Sequence, residues 1–361
     1  MRSPDGDDAA AAPIGPALSE AESEPWRGIT VGVAGPEFEA RPPRQYAFDV
    51  PDTECDGWST PDLTLRFASV RGANHRYYRQ PRQDAARAAL HESTGAVAFA
   101  VADGVSSASN AEIGAIEACR AAVHRMLHLL SLDKRPLDFR DVAHHAAERL
   151  GQLARWRLNG RQPEATEVAD LYATTLVAGV VRPDPAGPLV ELCRIGDSGA
   201  WILDRSDTSD ESSESIRSGE ATGSSRSGEA TGSSRSGEAT GSIRSGEATG
   251  SSGRYEPLFD SKTGSDTLLI SNEVAPLPYV PMRLQHTGGR LTAGRVLLVG
   301  TDGFGDPLGD GDGRVGALFA RTLAQPPSPA WLAHVLDFSR ETFDDDRSLL
   351  VVWPHATPGV R

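Results

Sequence analysis

Aspartate stands at the end of an apolar run three times in this 361-residue chain, and a fourth acidic cluster opens such a run. Residues 98–102 lead into Asp103-Gly104, residues 192–196 into Asp197-Ser198-Gly199, and residues 296–301 into Asp302-Gly303. Asp344-Asp345-Asp346 precedes the run 349–353. Short apolar runs bounded by turn residues read as buried strands. A sheet holds the carboxylate at its strand end rigidly. Several converging ends therefore build an all-oxygen site for a hard divalent cation. The pattern points to metal-assisted chemistry rather than to a binding scaffold.

Between these landmarks the hydrophobic period changes. Leu63, Leu65 and Phe67 alternate as in a half-buried strand over 63–70, and 96–102 reads as a strand apolar on both faces. Ser109 and Glu112 have capping-box spacing. Ile113, Ile116, Cys119, Val123, Leu127 and Leu130 then recur at three and four, the stripe of an amphipathic helix. A second helix is expected over 138–158, with Phe139, Val142, Ala146, Leu150 and Leu153 on one face. Further strands are expected at 174–181, 189–195, 200–203, 255–259, 267–270, 295–300 and 349–353, and a last helix at 329–340. Strand pairs, then two helices, then more strand pairs give an α+β chain with antiparallel sheets.

Two segments fall outside this pattern. Residues 1–58 are rich in Pro, Ala, Gly and acidic residues and read as mostly disordered, apart from a docking strand at 28–33. The stretch 206–254 holds four copies of a unit close to Arg-Ser-Gly-Glu-Ala-Thr-Gly-Ser-Ser, starting at Arg217, Arg226, Arg235 and Arg244. Each copy is neutral and lacks the apolar ridge a solenoid stacks on, so the stretch reads as an insertion in a hairpin loop. Closure entropy grows slowly with length, which makes such an insertion cheap. The folded domain is then 59–353, interrupted by 206–254, with 354–361 as a flexible tail.

A net charge of −14 argues against nucleic acid or an anionic membrane as partner, since both reward basic patches. Cys55, Cys119 and Cys193 are odd in number and widely spaced, which suits a reduced, cytoplasmic protein. Neither a leader nor a membrane span is expected from these residues, and a monomer is expected.

The residues also carry a resemblance. In order they are Arg71-Gly72-Ala73-Asn74-His75, Pro81-Arg82-Gln83-Asp84-Ala85, Ala102-Asp103-Gly104, Gly196-Asp197-Ser198, Thr301-Asp302-Gly303-Phe304-Gly305-Asp306 and Asp345-Asp346-Arg347-Ser348. This series resembles the metal-dependent type 2C serine/threonine protein phosphatases, in particular their bacterial branch. The resemblance spans roughly 63–353, the repeats excepted. It implies a four-layer α-β-β-α sandwich of two antiparallel sheets flanked by helix pairs. It also implies two Mg²⁺ or Mn²⁺ ions that activate a water against phosphoserine or phosphothreonine in a protein, either a Ser/Thr kinase or that kinase's target. By resemblance Asp103 bridges the ions with the Gly104 carbonyl beside it, and Asp302 and Asp346 hold the first ion. Asp84 serves the second ion, and Asp197 and Asp306 a weaker third. Arg79 would grip the substrate phosphate by its spacing to the acidic pair, with Arg76 as the alternative. Gln83 stands where the family often has Glu, and Val105 where many members have His. These departures motivate a second reading, a phosphatase-like binding or regulatory module without turnover; a third reading keeps the chemistry and takes a small phosphate ester as substrate. His75 is expected to bond a local backbone group, with contact to the substrate phosphate as the alternative.

Overall fold

The alternating and apolar runs become two antiparallel sheets in a computed structural model that describes residues 26–36, 41, 43, 49–132, 136–205, 253–259 and 275–355. One sheet has the order β1 (Thr53–Ser59), β2 (Leu63–Val70), β11 (Arg347–Pro354), β10 (Arg295–Gly300), β7 (Gly199–Asp204), β8 (Arg254–Pro257). The other has the order β3 (Asp84–His91), β4 (Ala96–Asp103), β5 (Leu176–Arg182), β6 (Leu189–Ile195), β9 (Gln285–Arg290). Their inner faces interdigitate through Leu65, Phe99, Val101, Val177, Leu192, Leu297 and Leu350. Strands apolar on both faces need a cover on the outside as well. On one outside lie α2 (Ala111–Ser131), α3 (Phe139–Arg157) and the short α4 (Ala165–Tyr172), with Cys119, Met126 and Leu150 against Ala100 and Ala178. On the other lie α5 (Asp302–Leu308), α6 (Arg314–Thr322) and α7 (Pro329–Leu336). There Phe304 and Phe319 meet edge to face at 5.0 Å, above Leu298 and Leu349. The expected four-layer sandwich is thus the observed one.

Departures from the sequence reading have local causes. The buried face of α2 is Ala115, Ala118, Cys119, Ala122, Met126 and Leu129, while Ile113 is exposed. Alanines let this helix sit close on β3 and β4, whose outward residues Ala85, Ala98, Ala100 and Ala102 are small too. The larger Ile113 does not belong to that seam. The start of α2 is Asn110, whose side chain makes no cap bond, so Ser109 is not the cap. By contrast Asp138 caps α3, accepting from the amides of Arg140 at 3.0 Å and Asp141 at 3.2 Å. Strand β3 has no signal in the sequence, because Asp-Ala-Ala-Arg-Ala-Ala-Leu-His has little apolar contrast. Strand β1 begins inside the stretch expected to be disordered, where its Cys55 and Trp58 half-bury against the sheets. The 28–33 segment docks by a single parallel bridge, Thr30 to Ser339, with the Val31 amide donating to the Ser339 carbonyl at 2.9 Å. At the other end the tail begins later than expected, because Pro354 still belongs to β11 and His355 Nε2 lies 3.0 Å from Thr64 Oγ1. The expected strand at 267–270 and the repeats lie outside the described residues. The segment carrying the repeats joins β7 to β8, and its flanks Asp204 and Arg254 are register partners across that pair.

The pairing brings the acidic strand ends to one end of the sandwich. Asp84 opens β3 directly opposite Asp103 at the close of β4. Gly300, next to Thr301 and Asp302, pairs with both Gly199 of β7 and Leu349 of β11.

Candidate metal centre

Two carboxylates face each other across the β3–β4 pair, an arrangement that repels unless a cation or a proton intervenes. Asp84 is 1% exposed, and its Oδ2 accepts the Thr301 hydroxyl at 2.7 Å. Burial and the charge of Asp346 push its carboxyl well above the ordinary range. Burial and the charges of Asp84 and Asp302 do the same to Asp103. Asp302, the first residue of α5, is raised to about 6 by burial and by Asp197, Asp345 and Asp306. Asp103, Asp197 and Asp302 each offer a carboxylate oxygen within 4.8 Å of the others. Asp306 is one helical turn from Asp302 and exposed. The sequence-derived residues Asp84, Asp103, Asp197, Asp302 and Asp306 therefore come together.

The donor set fits a hard divalent cation. It consists of carboxylate and carbonyl oxygens, the ligands Mg²⁺ and Mn²⁺ prefer. The nearby buried cations are committed elsewhere. Arg82 donates to Ser69 Oγ at 2.5 Å, the Asp84 carbonyl at 2.7 Å and Glu54 at 2.9 Å. Arg347 spends its guanidinium on the carbonyls of Gly303, Leu336, Phe338 and Phe343. Gln83 adds a buried Oε1 that no donor among the described residues satisfies. At Gly104 a Cβ would stand 2.6 Å from the Ala111 carbonyl oxygen, so this backbone passes α2 as only glycine can.

The acidic triplet behaves differently from the expectation. Asp346 is 2% exposed, and its oxygens accept from the Gly72 amide at 2.7 Å, the Gln83 amide at 2.5 Å and the His75 ring. Three protein donors anchor this carboxylate, at the position where the sequence reading expects a metal ligand in Asp346. Its neighbour Asp345 keeps a 61% exposed side chain, and its charge reaches Asp84, Asp103 and Asp302. His75, expected to bond backbone, lies 2.7 Å from Asp346 Oδ2 through Nδ1. Burial lowers its pKa, but the hydrogen bond and charge of Asp346 outweigh this, and the net shift is upward.

The two candidate arginines separate as well. Arg76 is clamped by Asp52 at 3.0 Å and Asp337 at 2.9 Å on the outer side, which leaves it no hand for substrate. Arg79 closes the short helix α1 (Ala73–Tyr78) in the left-handed region, φ 61° and ψ 32°, and is half-buried. A non-glycine residue in that region is worth attention at a functional site.

A family model described as protein phosphatase 2C matches residues 71–337. The chain belongs to the protein phosphatase 2C family. It is accordingly a metal-dependent protein serine/threonine phosphatase that acts on phosphorylated protein, with Mg²⁺ or Mn²⁺ as cofactor. Similar solved structures include RsbX in complex with magnesium, 10% identical, covering 84% of this chain and 100% of that one, TM-score 0.44. The catalytic domain of the serine/threonine phosphatase PstP with two manganese ions is 17% identical, covering 81% and 98%, TM-score 0.44. PppA of Pseudomonas aeruginosa is 13% identical, covering 85% and 99%, TM-score 0.44. A comparison with curated proteins finds no match. Within this phosphatase 2C site, sequence reasoning missed Thr301 as the support of Asp84. It also missed Arg82, whose burial on a polar stretch no sequence period signals.

Among the described residues no helix is long and apolar enough to cross a membrane. Burial pushes the Cys119 and Cys193 thiols up to about 12, in keeping with inert core residues.

Proposed function

We propose that Asp84, Asp103, the Gly104 carbonyl, Asp302 and Asp345 hold the two catalytic ions. In this reading Asp197 and Asp306 serve a weaker third, and Arg79 takes the substrate phosphate. The observation that carries the proposal is the directly opposed pair Asp84–Asp103, with the Asp302 and Asp197 carboxylates alongside. Bound there, divalent cations neutralise phosphate charge and lower the pKa of an attacking water. The chain's own residues supply the frame. Asp103 is fixed from behind, its amide donating to Thr175 Oγ1 at 2.9 Å and its carbonyl accepting from the Thr175 amide and the Thr174 hydroxyl, each at 2.8 Å. A guanidinium such as that of Arg79 can grip two phosphate oxygens at once. Val105 cannot donate a proton, so the leaving group takes its proton from elsewhere.

The substrate in this reading is phosphoserine or phosphothreonine of a Ser/Thr kinase or of that kinase's target, met by a monomer in the cytoplasm. The three free cysteines and the acidic net charge support that setting. The test is Mn²⁺-dependent turnover of a phosphopeptide and of an aryl phosphate by the wild type and Asp103→Asn. Turnover lost at every Mn²⁺ concentration is expected. Full activity in Asp103→Asn would sink the assignment.

A further inference from the structure

Histidine 75 is buried on an otherwise polar helix. It is 4% exposed, while its neighbours Asn74, Tyr77 and Tyr78 on α1 face solvent. Burying an imidazole costs free energy unless its nitrogens are used. Both oxygens of Asp346 already accept backbone amides, so the 2.7 Å contact requires Nδ1 to be the donor. The other nitrogen, Nε2, faces Asp345 Oδ1 at 3.7 Å. That same oxygen accepts the Asp346 amide at 2.8 Å. One oxygen of Asp345 is thus set by Asp346 and flanked by the ring, which leaves the second for a cation. The acceptors on Asp346 also reach Gly72 and Gln83, the two ends of the loop that carries Arg79 and leads into Asp84. The Asn74 amide donates to the Asp344 carbonyl at 3.0 Å, tying α1 to the same acidic triplet.

We infer that His75 is a positioning residue of the metal centre: braced by Asp346, it holds Asp345 in its coordinating posture and couples it to the Gln83-Asp84 strand end. This inference rests on the ligand assignment proposed above. Groups that orient metal ligands commonly change metal affinity by about 10–100-fold when removed. That defines a readout which a purely structural histidine would not move.

The experiment is calorimetric Mn²⁺ titration of metal-stripped protein without substrate, beside thermal melting, for wild type, His75→Ala, His75→Asn, His75→Gln and Asp103→Asn. Asp103→Asn must lose Mn²⁺ binding. If it binds as wild type, the ligand assignment itself fails, and that outcome is separable from the fate of His75. Given that control, His75→Ala should bind Mn²⁺ about 10–100-fold more weakly. His75→Asn can place its amide where Nδ1 stands and should recover part of the loss. His75→Gln reaches instead toward Nε2, forfeits the Asp346 bond and should recover less. Wild-type affinity in a folded His75→Ala, with only the melting temperature lowered, overturns the inference. Should His75→Ala fail to fold, wild-type affinity in His75→Gln overturns it equally.

Discussion

Thr301 donates its hydroxyl hydrogen to Asp84 Oδ2 at 2.7 Å while accepting the Ser348 amide at 3.0 Å. One side chain at the start of α5 thereby joins the first strand of one sheet to the last strand of the other. Ser348 Oγ continues the chain to Ser69 Oγ at 2.6 Å, and Arg82 closes on Ser69 and the Asp84 carbonyl. The metal centre therefore rests on a buried polar network in which every hydroxyl has a partner.

Thr301→Val keeps the shape and deletes the donor. The Thr301 bond favours ionised Asp84, so its loss makes Asp84 hold its proton more tightly against an incoming cation. Stability should fall by about 1–3 kcal/mol, because the Ser348 amide is left unpaired as well. Mn²⁺ affinity should fall with it, and Thr301→Ser should restore both. Melting and metal titration of the two variants check this. Equal behaviour of Val and Ser would show that the hydroxyl has no part in the site.

The acidic triplet divides its labour, and two variants separate the roles. Asp345→Asn removes charge from an exposed side chain, so folding should be untouched. Turnover should drop at least about tenfold, roughly 1.4 kcal/mol of barrier, with partial rescue by excess Mn²⁺. Asp346→Asn leaves Gly72, Gln83 and His75 donating to a poorer acceptor. It should lose about 2 kcal/mol or more of stability even without metal, a shift of several degrees in Tm. If Asp346→Asn melts like wild type while losing metal, Asp346 is the ligand after all.

The pH dependence follows from the raised carboxylates. Burial and the neighbouring carboxylates raise Asp302 to about 6 in the folded protein, from an ordinary 3.8. Asp84 and Asp103 are shifted the same way. Between those values the folded chain binds more protons than the unfolded one, so metal-free stability falls as pH rises. The raised His75 acts in the same direction, since its contribution is present at low pH and lost as pH climbs through its folded pKa. Metal-free protein should therefore melt at a higher temperature near pH 5 than near pH 7. The stabilisation gained on adding Mn²⁺ should grow over the same interval, because cations displace these protons. Asp302→Asn should flatten the metal-free slope. A metal-free protein that gains stability from about pH 5 to 7 would contradict the clustering of these groups.

The sequence carried the fold where apolar contrast was strong. β2, β4, β5, β10 and β11 and both long helices stand close to where their runs and periods place them. It failed where alanine blurred the contrast, as in β3 and on the packed face of α2. Site residues at strand ends were legible because strand, turn and carboxylate are consecutive in the chain. The choice between Asp345 and Asp346 was not. It depends on which carboxylate meets the amides of Gly72 and Gln83, more than 260 positions away. The use of Arg76 was hidden for the same reason, since its partners Asp52 and Asp337 lie in remote segments.

Gln83 offers the last test, because its two effects have opposite signs. Its buried Oε1 has no donor among the described residues, and it adjoins a strand end already crowded with Asp84 and Asp103. Gln83→Glu puts a further negative charge at nearly constant volume into that cluster. Without metal the new carboxylate has no cation to face, since Arg82 and Arg347 are engaged elsewhere, so Tm should fall or the new group should stay protonated. With Mn²⁺ present the same charge becomes a ligand, and affinity should rise severalfold. The increase should be larger near pH 7.5 than near pH 6, where protons compete. Calorimetry at both pH values, with melting in chelator and in Mn²⁺, reads both signs on one variant. A drop in metal-free Tm without any gain in Mn²⁺ affinity would place Oε1 outside the metal centre.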